Sequence, residues 1–310
     1  MIPILLTMAA APPPKPAPRF VPTVFAPGII STRDYERDGT FTPDGRSFYF
    51  TKRTIWPYFS AICVSHLRGG RWSEPAVAPF SGRYSDATPS VSPDGAHLYF
   101  ASRRPVDESP KRDYDLWVVD RVGVGWGEPH HLPAPINGPS NQLSPSVTRS
   151  GTLYFITDAP AAHVARAEQR DGVWLPPAPV GDSAGGGAAE LSAYVDPAER
   201  YLIVSVVGRA DAIHSAEGVY PRADLYLRER RNQVWSPLRH LPPPINSAAN
   251  EGSPTVTPDG KYLVFTSERG RFTEHGIGVT YEQLERSLHD VGNGLGDIYR
   301  VDIRALELRP

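Results

Sequence analysis

Apolar side chains along this chain come in short runs of three to four residues, each entered through the same kind of polar turn. Thr42-Pro43-Asp44-Gly45 precedes Ser47-Phe48-Tyr49-Phe50, Ser92-Pro93-Asp94-Gly95 precedes His97-Leu98-Tyr99-Phe100, and Thr257-Pro258-Asp259-Gly260 precedes Tyr262-Leu263-Val264-Phe265. Two altered copies lie between them: Thr148-Arg149-Ser150-Gly151 before Leu153-Tyr154-Phe155, and Asp196-Pro197-Ala198-Glu199 before Tyr201-Leu202-Ile203-Val204. Proline presets the turn, glycine accepts a positive φ, and the aromatic or β-branched run that follows suits a buried strand. The equivalent positions 45, 95, 151, 199 and 260 are 50, 56, 48 and 61 residues apart. A period of that length built from short strands specifies a radial array of small sheets.

Each repeat reads as four strands. Strand a precedes the turn, as in Ser253-Pro254-Thr255-Val256, and strand b follows it. Strand c opens with Asp and an aromatic two residues later, as in Asp115-Leu116-Trp117, Asp224-Leu225-Tyr226 and Asp297-Ile298-Tyr299. Strand d carries Trp and Pro: Trp72-Ser73-Glu74-Pro75, Trp126-Gly127-Glu128-Pro129, Trp174-Leu175-Pro176 and Trp235-Ser236-Pro237. Proline cannot donate to a ladder, which places strand d at the outer edge of each sheet. The fifth repeat lacks a Trp-Pro segment, and Phe20-Val21-Pro22 followed by Phe25-Ala26-Pro27-Gly28-Ile29 parallels the missing piece. Residues near 20–30 are therefore expected to form strand d of the last blade and close the ring. The fold class is all-β: a five-bladed β-propeller of four-stranded antiparallel blades, one domain over 20–310.

The Ser-Pro-Asp-Gly turn, the aromatic-rich strand b and the Asp-Ile/Leu-Tyr element resemble the TolB-type (WD-like) β-propeller repeat family over residues 20 to 303. The resemblance implies the fold; its members bind proteins, peptides or sugars, and the namesake usually has six blades where this chain has five.

Composition narrows the function classes. A net charge of −2 gives no basic field for nucleic acid. The single cysteine, Cys63, excludes an intramolecular disulfide or a multi-thiolate metal site and reads as a buried small hydrophobe. The 34 prolines are spread through turns rather than gathered in one disordered run. Residues 1–19 form a separate segment. Its apolar stretch Ile2 to Ala11 resembles a secretory signal without a preceding Lys or Arg. A periplasmic or secreted protein is expected, the alternative being a cytoplasmic one with an unstructured tail; no segment is long enough to span a bilayer. A monomer is expected.

Alternation of the strands puts the d-to-a and b-to-c connections on one face and the Pro-Asp-Gly turns on the other. The first face carries the long connections 205–223 and 267–296, the latter with a helix expected over Tyr281 to Asp290, capped by Thr280 and Gln283 and stopped at Gly292. Binding is expected on that loop-rich face. Aligning the repeats stacks Glu36, Asp86, Gln142, Glu190 and Glu251 at one position, and Asp38, Thr88, Ser144, Ser192 and Ser253 two residues later; Arg53, Arg103 and Arg269 end strand b. The expectation is a central funnel with an acidic, hydroxyl-rich ring and arginines around it, in which some carboxylate pKa values rise. The same recurrence fits a blade-to-blade bonding device.

Two functions follow. The first is a non-enzymatic propeller that binds a protein, peptide or glycan at the loop-rich face. The alternative is a carbohydrate-active hydrolase or lyase using two of Glu36, Asp38, Asp86, Glu190 and Glu251, since paired carboxylates are what glycoside chemistry requires. No cofactor is called for, although the ring also has the oxygen chemistry to hold a Ca-like cation in the central channel. Gly181-Asp182-Ser183-Ala184-Gly185 matches a nucleophile-elbow pattern, but no helix pattern follows it and a loop is expected. His130, His131 and His240 are expected on the surface of strands d, and His275 and His289 on the insertion.

Overall fold

The computed structural model describes residues 20–55, 58–107, 111–182, 187–213, 222–270 and 278–309. Five antiparallel sheets stand around one axis. Strands a, b and c of blade one are Tyr35–Phe41, Ser47–Arg53 and Ser60–Arg68, and those of blade two are Asp86–Val91, His97–Ser102 and Asp115–Val122. Blade three has Gln142–Val147, Leu153–Thr157 and His163–Ala167; blade four has Ala189–Val195, Tyr201–Val207 and Ala223–Arg231. Blade five has Glu251–Val256, Tyr262–Ser267 and Asp297–Asp302, and its strand d is Thr23–Val24. Thr23 pairs with Arg300 and Val24 with Tyr299, so the N-terminal strand closes the ring as its sequence implied.

The turns are built as their residues dictate. In blade two the Gly95 amide donates to the Ser92 carbonyl at 2.8 Å, the Ser92 hydroxyl to Asp94 at 2.5 Å, and the Ala96 amide to Asp94 at 3.0 Å. Blade four does this without glycine: Glu199 takes φ 55°, a left-handed conformation that costs a non-glycine residue roughly 1 kcal/mol. Its carboxylate is held by the Tyr154 hydroxyl at 2.5 Å and by Arg230 at 2.5 Å.

Strand d is interrupted in blades one, two and four. In blade one, Arg71–Trp72 and Ala76–Val77 both pair with strand c, and the break between them contains Pro75. The tryptophans reach back to the preceding blade: the Trp126 indole donates to the Tyr49 hydroxyl at 2.8 Å, and Trp235 stands edge-on to Tyr154 with ring centroids 6.2 Å apart.

The apolar core consists of five clusters, one in each seam between neighbouring blades. Phe48, Phe50 and Cys63 of blade one pack on Phe25, Val264 and Ile298 of blade five. Blade one meets blade two through Ile62, Leu98 and Phe100, and blade two meets blade three through Leu116, Leu153 and Phe155. Leu202, Val204 and Tyr154 fill the next seam, and Ile203, Leu225, Leu263 and Phe265 the last. The seam at Phe25 exists only because the N-terminal strand completes blade five.

The helix spans Tyr281–Leu288, with Thr280 and Gln283 forming the expected capping box. It ends two residues earlier than the pattern suggested, with His289 as its C-cap, and none of its residues is buried.

Candidate functional site

The recurrent polar positions separate into three groups that the linear pattern had merged. Glu36, Asp86 and Glu251 are fully buried, and Gln142 and Glu190 nearly so. None of them lines the channel; Glu36, Asp86, Gln142 and Glu251 tie the d-to-a corner to the sheet, and Glu190 bonds strand c of the preceding blade. The Ser247 amide and hydroxyl donate to Glu251 at 2.9 and 2.6 Å, and the Ser267 hydroxyl adds a third bond at 2.7 Å. Glu36 receives the Thr32 amide and hydroxyl in the same way at 2.9 and 2.6 Å. The Val164 amide donates to Glu190 at 2.6 Å.

Each of these carboxylates also has a cation from its own blade. Lys52 lies 3.2 Å from Glu36, Arg104 2.9 Å from Asp86, Arg228 3.5 Å from Glu190, and Arg269 3.1 Å from Glu251. Gln142, the neutral member, bonds to the Gly138 amide and the Ser140 hydroxyl. Burial raises the pKa of Glu190 and of Glu251 against the opposing pull of Arg228 and Arg269. The cause is desolvation within each blade, not repulsion around a shared ring.

Ladder register also regroups the arginines. Glu36 pairs with Lys52, Asp86 with Ser102 and Glu251 with Ser267, so Arg53, Arg103 and Glu268 are equivalent. Arg269 is instead the counterpart of Arg104, one position further along, and a one-residue step points a strand side chain to the opposite face. Arg104 and Arg269 each donate Nε to the serine at the end of strand b, at 2.9 and 2.8 Å. Arg104 and Lys52 were missed because they sit beside the more conspicuous series. The ladder offset from each strand-a acid is the signal that finds them.

The second series lines the axis. Asp38, Thr88, Ser144 and Ser253 occupy β-bulges with φ of 57°, 52°, 50° and 49°, where the pairing register of strands a and b shifts. The bulge re-aims a side chain that plain alternation would direct elsewhere. Their oxygens link blades two to five in turn, and blade five to blade one. The Ser144 amide donates to Thr88 at 3.1 Å, the Ala193 amide to Ser144 at 3.1 Å, and the Ser253 amide to Ser192 at 2.8 Å. The Ser253 hydroxyl donates to Asp38, which Arg37 also holds at 3.0 Å.

At this level the channel encloses about 30 Å³, roughly the space of one water, and Asp38 is its one carboxylate. Among the described residues no group of three or more His, Cys, Asp or Glu side chains converges as a metal site would require. The axis widens toward the Pro-Asp-Gly turns into a bowl of about 330 Å³ rimmed by Pro43, Pro93, Pro197 and Pro258. The roomy end of the axis is thus on the turn face, opposite the funnel expected from the sequence. Arg149 joins this wall where the other repeats carry proline.

With Glu36, Asp86, Glu190 and Glu251 sealed in separate blades, no two of the five aligned acids face a common solvent-filled space. Glycoside hydrolysis needs two carboxyl groups flanking one bond, about 5–10 Å apart across the substrate. These acids do not provide that arrangement.

The histidines of strand d are less solvent-directed than expected. His131 lies 2.6 Å from Asp115 and His240 2.6 Å from Asp224, each joining strand d to the start of strand c; His130 is exposed. Asp297, which opens strand c of blade five, accepts the Gly292 amide at 2.8 Å. Residues 1–19, His275 and Ser183 to Gly185 lie outside the described residues.

Two features remain on the loop-bearing face. Arg53 and Arg103 share a pocket of about 270 Å³ between blades one and two with Thr54, Tyr58, Phe59 and Tyr114. Large apolar side chains are also exposed there: Ile55, Tyr58 and Phe59 from blade one, Val106 from blade two, and Val279, Tyr281, Leu284 and Leu288 from the insertion of blade five.

No protein-family model matches the chain, and no curated protein sequence does. Among solved structures, TolB from Acinetobacter baumannii superposes with a TM-score of 0.50 at 12% identity, over 91% of this chain and 63% of that one. This chain therefore spans less than two-thirds of that protein's length. A putative TolB from Agrobacterium tumefaciens gives a TM-score of 0.48 at 13% identity, covering 87% of this chain and 90% of that one. The catalytic domain of an α-L-arabinofuranosidase from Coprinopsis cinerea gives 0.49 at 13% identity, covering 91% and 96%. At this identity the likeness concerns the β-propeller fold, which binding proteins and enzymes both use.

Proposed function

We propose that this chain is a non-enzymatic β-propeller that docks a protein or peptide partner on its loop-bearing face. The observation that carries the reading is the apolar surface contributed by three adjacent blades, five, one and two. Tyr281, Leu284 and Leu288 fall at i, i+3 and i+7, so they lie along one side of the helix, and all three are exposed among the described residues. Large apolar side chains exposed together on one face mark an interaction site more often than singly scattered ones do. The aligned acids, engaged within their blades, favour binding over carboxylate-pair catalysis. An exported location, read from the apolar stretch before residue 12, belongs to the same proposal.

The test replaces Tyr281, Leu284 and Leu288 together by Ser. None of the three is buried, so an unchanged circular dichroism spectrum and melting temperature are expected. Affinity purification of the full chain from its native host is expected to enrich a defined partner that the triple variant loses. Equal recovery of that partner by both proteins would contradict the proposal.

A further inference from the structure

The pocket between blades one and two contains two guanidiniums that nothing described in the chain neutralises. Arg53 ends strand b of blade one and lies over Tyr35, its Cζ 3.8 Å from the ring centre. Arg103 follows strand b of blade two and lies over Tyr114, its Cζ 4.5 Å from the ring centre. Their Nε atoms are buried without an acceptor, and neither side chain forms an ion pair among the described residues. Glu268, their counterpart in blade five, is engaged by the Tyr35 hydroxyl and the Asn250 amide. The arginines just beyond strand b behave differently: Arg104 and Arg269 donate to carboxylate, hydroxyl and carbonyl oxygens.

The pocket is also held in shape. The Ser60 and Ser85 hydroxyls are 3.0 Å apart, Ser85 is 3.2 Å from the Tyr114 hydroxyl, and the Thr54 amide donates to the Phe59 carbonyl at 2.9 Å. Stacking on a tyrosine face fixes a guanidinium's plane and leaves its in-plane N–H edge for a planar, two-oxygen acceptor. Two such cations in one partly dehydrated space repel each other, and an anion between them removes that cost. Phe59, Tyr58 and Tyr114 supply apolar walls for the carbon skeleton next to the anionic group.

We propose that the Arg53–Arg103 pocket is a carboxylate-binding site for a ligand whose acid group is attached to an apolar or aromatic body. The carboxylate comes either from a small organic acid or from an acidic side chain beside an aromatic one in a peptide. The site stands on its own residues and does not depend on the docking role of the helix.

Calorimetric titration of the full chain tests it with two matched pairs: benzoate against benzamide, and an end-blocked Phe-Glu-Phe peptide against Phe-Gln-Phe. Binding of benzoate alone identifies a small-acid site, and binding of the Glu peptide identifies a peptide site. In either case Arg53→Gln and Arg103→Gln are expected to weaken the carboxylate at least tenfold, and Arg103→Lys, which keeps the charge but loses the planar fork, to weaken it less. The Tyr281, Leu284 and Leu288 triple variant is expected to bind the carboxylate unchanged, which separates this site from partner docking. If either Gln variant fails to fold, Arg103→Lys carries the comparison. Equal affinity for acid and neutral probes, or affinity unchanged in the folded arginine variants, would overturn the proposal.

Discussion

Glu251 accepts from the Ser247 amide, two hydroxyls and Arg269, yet burial still raises its pKa. Burial thus disfavours the charged form relative to the unfolded chain, and in blade three the neutral Gln142 stands at the same position. The two members of the pair should respond differently to mutation. Arg269 keeps the Pro244 and Ile245 carbonyls when Glu251 becomes Gln, whereas Glu251 without Arg269 is a buried, uncompensated charge. Glu251→Gln is expected to change stability by less than about 1 kcal/mol at neutral pH and Arg269→Met to cost about 3 kcal/mol, with the double variant recovering part of that loss. A raised folded-state pKa contributes stability below the ordinary carboxylate range and loses it as pH rises through the raised value. Urea denaturation should accordingly show the advantage of wild type over Glu251→Gln shrinking from pH 4 to pH 7. A Glu251→Gln loss as large as that of Arg269→Met would contradict this account. The recurrence of these acids was legible in the sequence, but their direction was not. Whether a side chain two residues before a β-bulge faces the axis or the blade depends on where the ladder slips. No residue type marks that slip here, since Asp, Thr and Ser all occupy the bulge.

At the scale of elements, the most legible feature was the displaced strand d. Phe20 to Ile29 repeats the outer-strand pattern at the wrong end of the chain, and the structure seats Thr23–Val24 against Asp297–Asp302. Phe25 follows that strand, donates its amide to the Ile298 carbonyl at 2.8 Å, and packs against Phe41, Phe48 and Trp72 of blade one. It thus serves both closure of the sheet and the seam between the first and last blades. Phe25→Ala is expected to cost about 3–4 kcal/mol, the range for truncating a buried aromatic. An equivalent truncation of an exposed strand-d residue, Val77→Ala, should change stability by less than about 0.5 kcal/mol. Equal effects in chemical denaturation would mean that the N-terminal strand does not close the ring. The helix was legible from its capping pair, but its end was not. His289 stops it through a C-cap that has no strong sequence signal, three residues before Gly292.

Across the whole molecule, repetition and irregularity divide the work. Turns, bulges, buried acids and seam clusters recur around the axis and hold the ring; these are the positions at which the sequence was easiest to read. The features left for recognition are those that do not recur: the insertion between Ser267 and Asp297, the apolar residues of the blade-one and blade-two loops, and the arginine pocket between them. Such positions have no internal copy with which to be aligned, so a repeat reading shows where they are without showing what they do.

Hydrogen–deuterium exchange on the full chain, with and without the partner recovered from the native host, tests the division most directly. Partner binding is expected to protect 278–296, 54–59 and 103–107, while the Pro-Asp-Gly turns at 42–46, 92–96 and 257–261 exchange as in the free protein. Protection confined to those turns and the bowl they rim would contradict the account and place recognition on the opposite face.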